Sequence, residues 1–192
     1  TTLPSAGNFI ITVNDASSAV VWTGKISDWD ASTPLPAGNY SVTASYGSIE
    51  NEGFDKPYFY GSQHFVVQGG QTSTVSVPVS LGNTIVKIGC TDNFKNYYKD
   101  YSFKITRNGN EIVNFGKDES KAAFIDGYKI VLQGVLSSET KTQSFEKEYN
   151  NLSEATAYTF LFDINNVGGA TITVSFNNTV ETINLGDHEL ND

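Results

Sequence analysis

With 21 acidic and 12 basic side chains in 192 residues, the chain carries a net charge of -9. That sign repels phosphate backbones and anionic lipid surfaces, which argues against nucleic acid or a bare membrane surface as partner. The single cysteine, Cys90, cannot form an internal disulfide, and no stretch approaches the roughly 20 apolar residues of a membrane-spanning helix.

The 12 Phe and 10 Tyr supply the apolar area that small domains need for an efficient core. Residues 1–7 (TTLPSAG) are small and polar, like a tether left after a targeting segment is removed. Period-2 alternation follows, the signature of strands whose side chains point to opposite faces. The clearest case sets Tyr40, Val42, Ala44 and Tyr46 on one face and Ser41, Thr43 and Ser45 on the other. Similar runs occupy 9–13, 20–23, 63–67 and 72–79, separated by turn residues at Asn14-Asp15, 34–39 and 68–71. These runs predict a first sandwich over 1–82.

The pattern restarts after Gly82, with a very short join. A strand over 84–90 ends at Cys90, which reads as a small buried hydrophobe. Phe94, Tyr97, Tyr98 and Tyr101 stand at helical spacing behind a capping Thr91 or Asp92. They predict a short helix near 92–100, with an aromatic-rich loop as the alternative. Tyr101, Phe103 and Ile105 alternate, Asn108-Gly109 supplies a hairpin turn, and Val113 and Phe115 return. Tyr128, Ile130 and Leu132 alternate next, then Tyr158, Phe160, Phe162 and Ile164. Gly168-Gly169 and Asn177-Asn178 punctuate the last strands, built on Ile172, Val174 and Phe176 and on 180–185. Residues 140–149 carry polar groups on both faces, as a charged sheet edge does. The whole predicts an all-β chain of two tandem antiparallel sandwiches, 1–82 and 83–192, with no long helix.

Catalytic and metal chemistries find little support. His64 alternates out of phase with Phe65 and Val67, so it reads as a solvent-facing strand residue, and His188 lies in a polar tail. There is no G-x-S-x-G elbow, and two histidines and one cysteine give no zinc spacing. Asp28 and Asp30 read as turn caps around Trp29, and the acidic cluster Asp187, Glu189, Asp192 sits in the tail. No catalytic residue, metal or cofactor is assigned. The most suggestive surface feature is aromatic: Phe54, Tyr58 and Tyr60 in the first half, Tyr97 and Tyr98 in the second. Rings on loops stack on sugars or anchor partners, and the competing reading is that they pack into the core.

The string Leu35-Pro36-Ala37-Gly38-Asn39-Tyr40-Ser41-Val42-Thr43-Ala44 resembles the L-x-x-G-x-Y-x-V-x-A strand entry of prealbumin-like (transthyretin-like) sandwich modules. The run Asp55-Lys56-Pro57-Tyr58-Phe59-Tyr60-Gly61-Ser62-Gln63-His64-Phe65-Val66-Val67 follows, then 75–79, the join at 81–88 and the later YTFLFD of 158–163. In this order the chain resembles a family of uncharacterised Bacteroidales surface lipoproteins, fimbrillin-like in style. The resemblance implies a prealbumin-like first domain and an immunoglobulin-like second one. It also implies export, a lipid anchor upstream of Thr1 at the outer membrane, and an adhesive or fimbria-associated role without enzymatic activity. Fimbrillins polymerise by donating a strand to a neighbour's sheet. The expected partners are other surface or fimbrial proteins. The alternative is a carbohydrate-binding module of a polysaccharide-utilisation system, with host or dietary glycans as ligands.

Overall fold

The computed structural model describes residues 3–164, 170–176 and 179–184, the last two ranges as backbone strands. The chain forms two compact units: Thr1–Ile49 with Pro57–Gly82, and Glu50–Lys56 with Asn83–Asp192. The turns expected at Gly168-Gly169 and Asn177-Asn178, and the tail residues Asp187, His188, Glu189 and Asp192, lie outside the described residues.

In the first unit, β1 (Ile10–Asp15), β2 (Val20–Lys25), β3 (Gly38–Tyr46), β5 (Phe59–Val67) and β6 (Ser80–Leu81) form one antiparallel sheet in the order β2-β1-β3-β5-β6. One face buries Phe9, Ile11 and Val13 with Tyr40, Val42 and Ala44, the alternate positions of β1 and β3 and the residue before β1. The facing layer is irregular chain. Its Trp29, Leu35, Val75 and Val77 pack on this core, joined by Trp22 from β2 of the sheet itself.

The alternation expected at 72–79 is present in the burial pattern, with Val75 and Val77 half-buried and Thr74 and Ser76 exposed. These residues nevertheless have no ladder partner among the described residues, and only Ser80–Leu81 joins β5. Pro78 has no N–H to give a ladder. Its carbonyl lies so close to Gly61 of β5 that any side chain there would collide with it.

The second unit is a two-sheet sandwich. Its first sheet comprises β4 (Gly53–Phe54), β7 (Thr84–Cys90), β10 (Ala123–Ile125), β13 (Ala157–Ile164), β14 (Ala170–Phe176) and β15 (Thr179–Asn184), in the order β15-β14-β13-β7-β10-β4. Its second sheet comprises β8 (Asp100–Arg107), β9 (Asn110–Phe115), β11 (Ile130–Ser137) and β12 (Thr142–Tyr149), in the order β12-β11-β8-β9. One pairing departs from a purely antiparallel expectation: β13 runs parallel to β7, which period-2 patterning cannot distinguish. The polar run at 140–149 supplies the edge strand β12. At the hairpin, Asn108 and Gly109 both take positive φ (51° and 77°), the conformation a two-residue turn demands.

The core between these sheets is aromatic. Phe103 of β8 stacks on Phe162 of β13 at 4.1 Å, and Phe145 and Phe94 close on Phe162 at 5.6 and 5.8 Å. Phe94 comes from α1 (Asp92–Tyr97), the expected short helix. Its cap Thr91 accepts from the Phe94 N–H at 3.2 Å and donates to Asp163 at 2.5 Å, tying the helix start to β13. Gly134 of β11 is required by space, because a Cβ there would run into the Phe145 ring.

Residues 50–56 belong to the second unit, and one ion pair holds them. Arg107, the chain's single arginine, forks onto Glu52 at 2.5 and 3.2 Å and donates to the carbonyls of Asp126 (2.6 Å) and Tyr128 (2.9 Å). Glu52 also accepts from the Asp126 N–H at 2.7 Å. Both side chains are mostly shielded from solvent, so the fork is satisfied where water is scarce.

Arg107→Ala leaves a shielded carboxylate unpaired and is expected to cost about 3 kcal/mol in chemical denaturation. Arg107→Lys should recover only part of that, because an ammonium cannot fork. Gly134→Val is expected to cost about 1–3 kcal/mol by overpacking against Phe145, read by the same measurement.

Candidate functional site

The five aromatic candidates part company. Tyr98 is wholly buried in the second unit's core, its hydroxyl accepting from Gln143 at 2.8 Å, and burial pushes its pKa up to about 12. That ring is closed to a ligand. Phe54 packs edge-on against Phe115 at 5.3 Å, where it attaches β4 to the same core. Tyr97 is 43% exposed and stands edge-on to Tyr98. Tyr58 and Tyr60 stack on each other at 5.5 Å with planes 14° apart, and Tyr60 is 42% exposed. Gly82 makes room for this pair, since a Cβ there would lie 2.6 Å from the Tyr58 ring.

Tyr60 belongs to the face of the first sheet opposite its core. Strand register aligns it with Ser45 of β3, Ile10 of β1 and Lys25 of β2. The next row across the strands is Ser62, Thr43, Thr12 and Thr23, with the last two hydroxyls 3.0 Å apart. A third row sets His64 opposite Ser41, with Asn14 beyond. These rows contain no carboxylate to orient His64, so they do not form a serine-hydrolase triad.

The core side of the same sheet holds a cleft of about 590 Å3, floored by Ile11, Val13, Val42 and Phe65 and walled by Trp29, Leu35, Val75 and Val77. Ser32, Thr33, Gln68, Gln71 and Thr72 give it an uncharged rim. Trp29 is held edge-on by Trp22 at 5.0 Å. Asp30 caps its own turn, accepting from the Ser32 hydroxyl (2.6 Å) and N–H (2.9 Å), and these bonds lower its pKa.

The first unit is nearly free of charge, a property that alternation does not reveal. In residues 1–49 and 57–82 the only charged side chains are Asp15, Lys25, Asp28 and Asp30. A chain-wide net charge conceals this segregation, whereas a windowed charge count finds it.

The second unit offers less chemistry. Cys90 is half-buried, and burial raises its thiol to about 11, so little thiolate forms at neutral pH. Tyr101 donates to Asp118 at 3.2 Å, and burial raises its pKa. Among the described residues, no three His, Cys, Asp or Glu side chains gather to hold a metal.

Solved structures share the fold across nearly the whole chain at low identity. A fimbrial assembly protein from Parabacteroides distasonis aligns with a TM-score of 0.58 and 8% identity over 94% of this chain and 91% of its own. A candidate polysaccharide-binding protein from Bacteroides thetaiotaomicron aligns at 0.55 and 14%, over 94% and 90%. A candidate cell adhesion protein from Bacteroides eggerthii aligns at 0.50 and 11%, over 93% and 89%. No curated protein matches the chain. The family model described as Domain of unknown function (DUF4493) matches residues 1–186, and the chain belongs to that family.

Proposed function

We propose that the chain is a non-enzymatic surface protein, an adhesin or a structural subunit of a fimbria-like assembly, exported and lipid-anchored at the outer membrane. The observation that carries this reading is residues 72–79. They alternate in burial, lack a ladder partner among the described residues, hold no charged side chain and border an apolar cleft. Charged side chains commonly discourage foreign strands from pairing with exposed extended backbone, and this segment carries none. It is suited to pair with a strand from another surface protein, with main-chain bonds giving affinity and the cleft receiving alternate side chains. The names of the structural neighbours, fimbrial assembly and cell adhesion, support the same reading.

A second reading, a carbohydrate-binding surface module, is favoured by the Tyr58–Tyr60 stack and by the name of the Bacteroides thetaiotaomicron neighbour.

If a strand pairs with 72–79, Ser76→Pro removes an N–H the pairing needs. The change should leave the stability of the isolated chain within about 0.5 kcal/mol and abolish incorporation into surface assemblies, scored by surface labelling of cells and electron microscopy. Incorporation at the parental level would refute strand acceptance there. Amides of 72–77 should also exchange with solvent much faster than those of β3 in the isolated chain, measured by hydrogen exchange.

A further inference from the structure

We propose that the outer face of the first unit's sheet, around Tyr60, binds an uncharged polysaccharide laid across the strands. This rests on the carbohydrate-binding reading above and gives it a place and a ligand class. Tyr58 and Tyr60 stack on each other over Gly82 at one side of the face, and Tyr60 stays 42% exposed. Stacking suits the apolar face of a sugar ring, because the aromatic contributes area and a π-face without needing charge.

Beside the platform, Ser62, Thr43, Thr12 and Thr23 put one hydroxyl on each of four adjacent strands. Each hydroxyl both donates and accepts, matching the ambivalence of sugar hydroxyls. Adjacent strands lie about 4.8 Å apart, close to the length of one pyranose in an extended chain. Thr12 and Thr23 bond to each other at 3.0 Å and present one joint partner beside Thr43 and Ser62. The rows hold no carboxylate and one ammonium, Lys25, at their margin. A polyanion finds no basic cluster to neutralise it, and a polycation finds no acid. A neutral polyol loses nothing here.

The test is native affinity electrophoresis of the full chain in gels containing dextran, starch, mannan or galactan, with polygalacturonate as the charged comparison. At least one neutral polymer should retard the chain and polygalacturonate should not. Tyr60→Ala and Thr43→Glu should abolish retardation, and Thr43→Val should weaken it about five-fold. Asn110→Glu, on the second unit's hairpin, should leave it unchanged. Thermal melts of each variant separate lost binding from lost folding. Retardation that survives both Tyr60→Ala and Thr43→Glu keeps the carbohydrate reading and overturns this site. No retardation by any neutral polymer overturns both. Self-association that Thr43→Glu abolishes, without polysaccharide binding, identifies a second copy as the occupant and overturns the proposal.

Discussion

A sheet that buries one face must find a second layer, and how each unit meets that demand governs the rest of its behaviour. The second unit meets it with another sheet, so its inner faces interdigitate and the aromatic stack of Phe103 on Phe162 becomes the centre of a dry core. The first unit meets it with irregular chain. Segments without a ladder cover the apolar face less evenly, and a cleft remains beside Phe65 and Val42.

The strands are legible in the sequence because period 2 is a local property. The β3 alternation, the Asn108-Gly109 turn and the Thr91-capped helix each depend on residues close in sequence, and each forms as expected. Expectation and structure diverge where a distant group or a single dihedral decides. Alternation puts Tyr128 on one face with Ile130 and Leu132. Yet Tyr128 is 61% exposed and outside β11, because Lys129 takes φ 55° and breaks the phase. Tyr97 and Tyr98 are adjacent, but the helix end leaves one exposed and sends the other into the core.

Other features are not local at all. Glu52 meets Arg107 across 55 residues, and nothing in either neighbourhood announces the pairing. The same pairing accounts for Phe54, a candidate ligand-facing ring by sequence. Its segment is held within the second unit, where Phe115 packs against it. The alternation at 72–79 marks a half-buried face, but a ladder needs a partner, and alternation does not reveal whether one exists.

Charge is distributed unequally between the two units. The edge strand β12 of the second unit carries Glu146, Lys147 and Glu148, which discourage pairing by a foreign strand. The edge strand β4 of that unit's other sheet is two residues long, too short to template much. The first unit has neither device along 72–79, although Pro78 interrupts the far end. A chain of net charge -9 has ample acid to protect that segment and places it elsewhere. An unguarded, uncharged segment is a hazard in a protein that must remain monomeric, and an asset in one that assembles. The same absence of charge on the outer face removes competition for a neutral ligand. The strand pairing and the glycan contact proposed above would both draw on this one compositional choice.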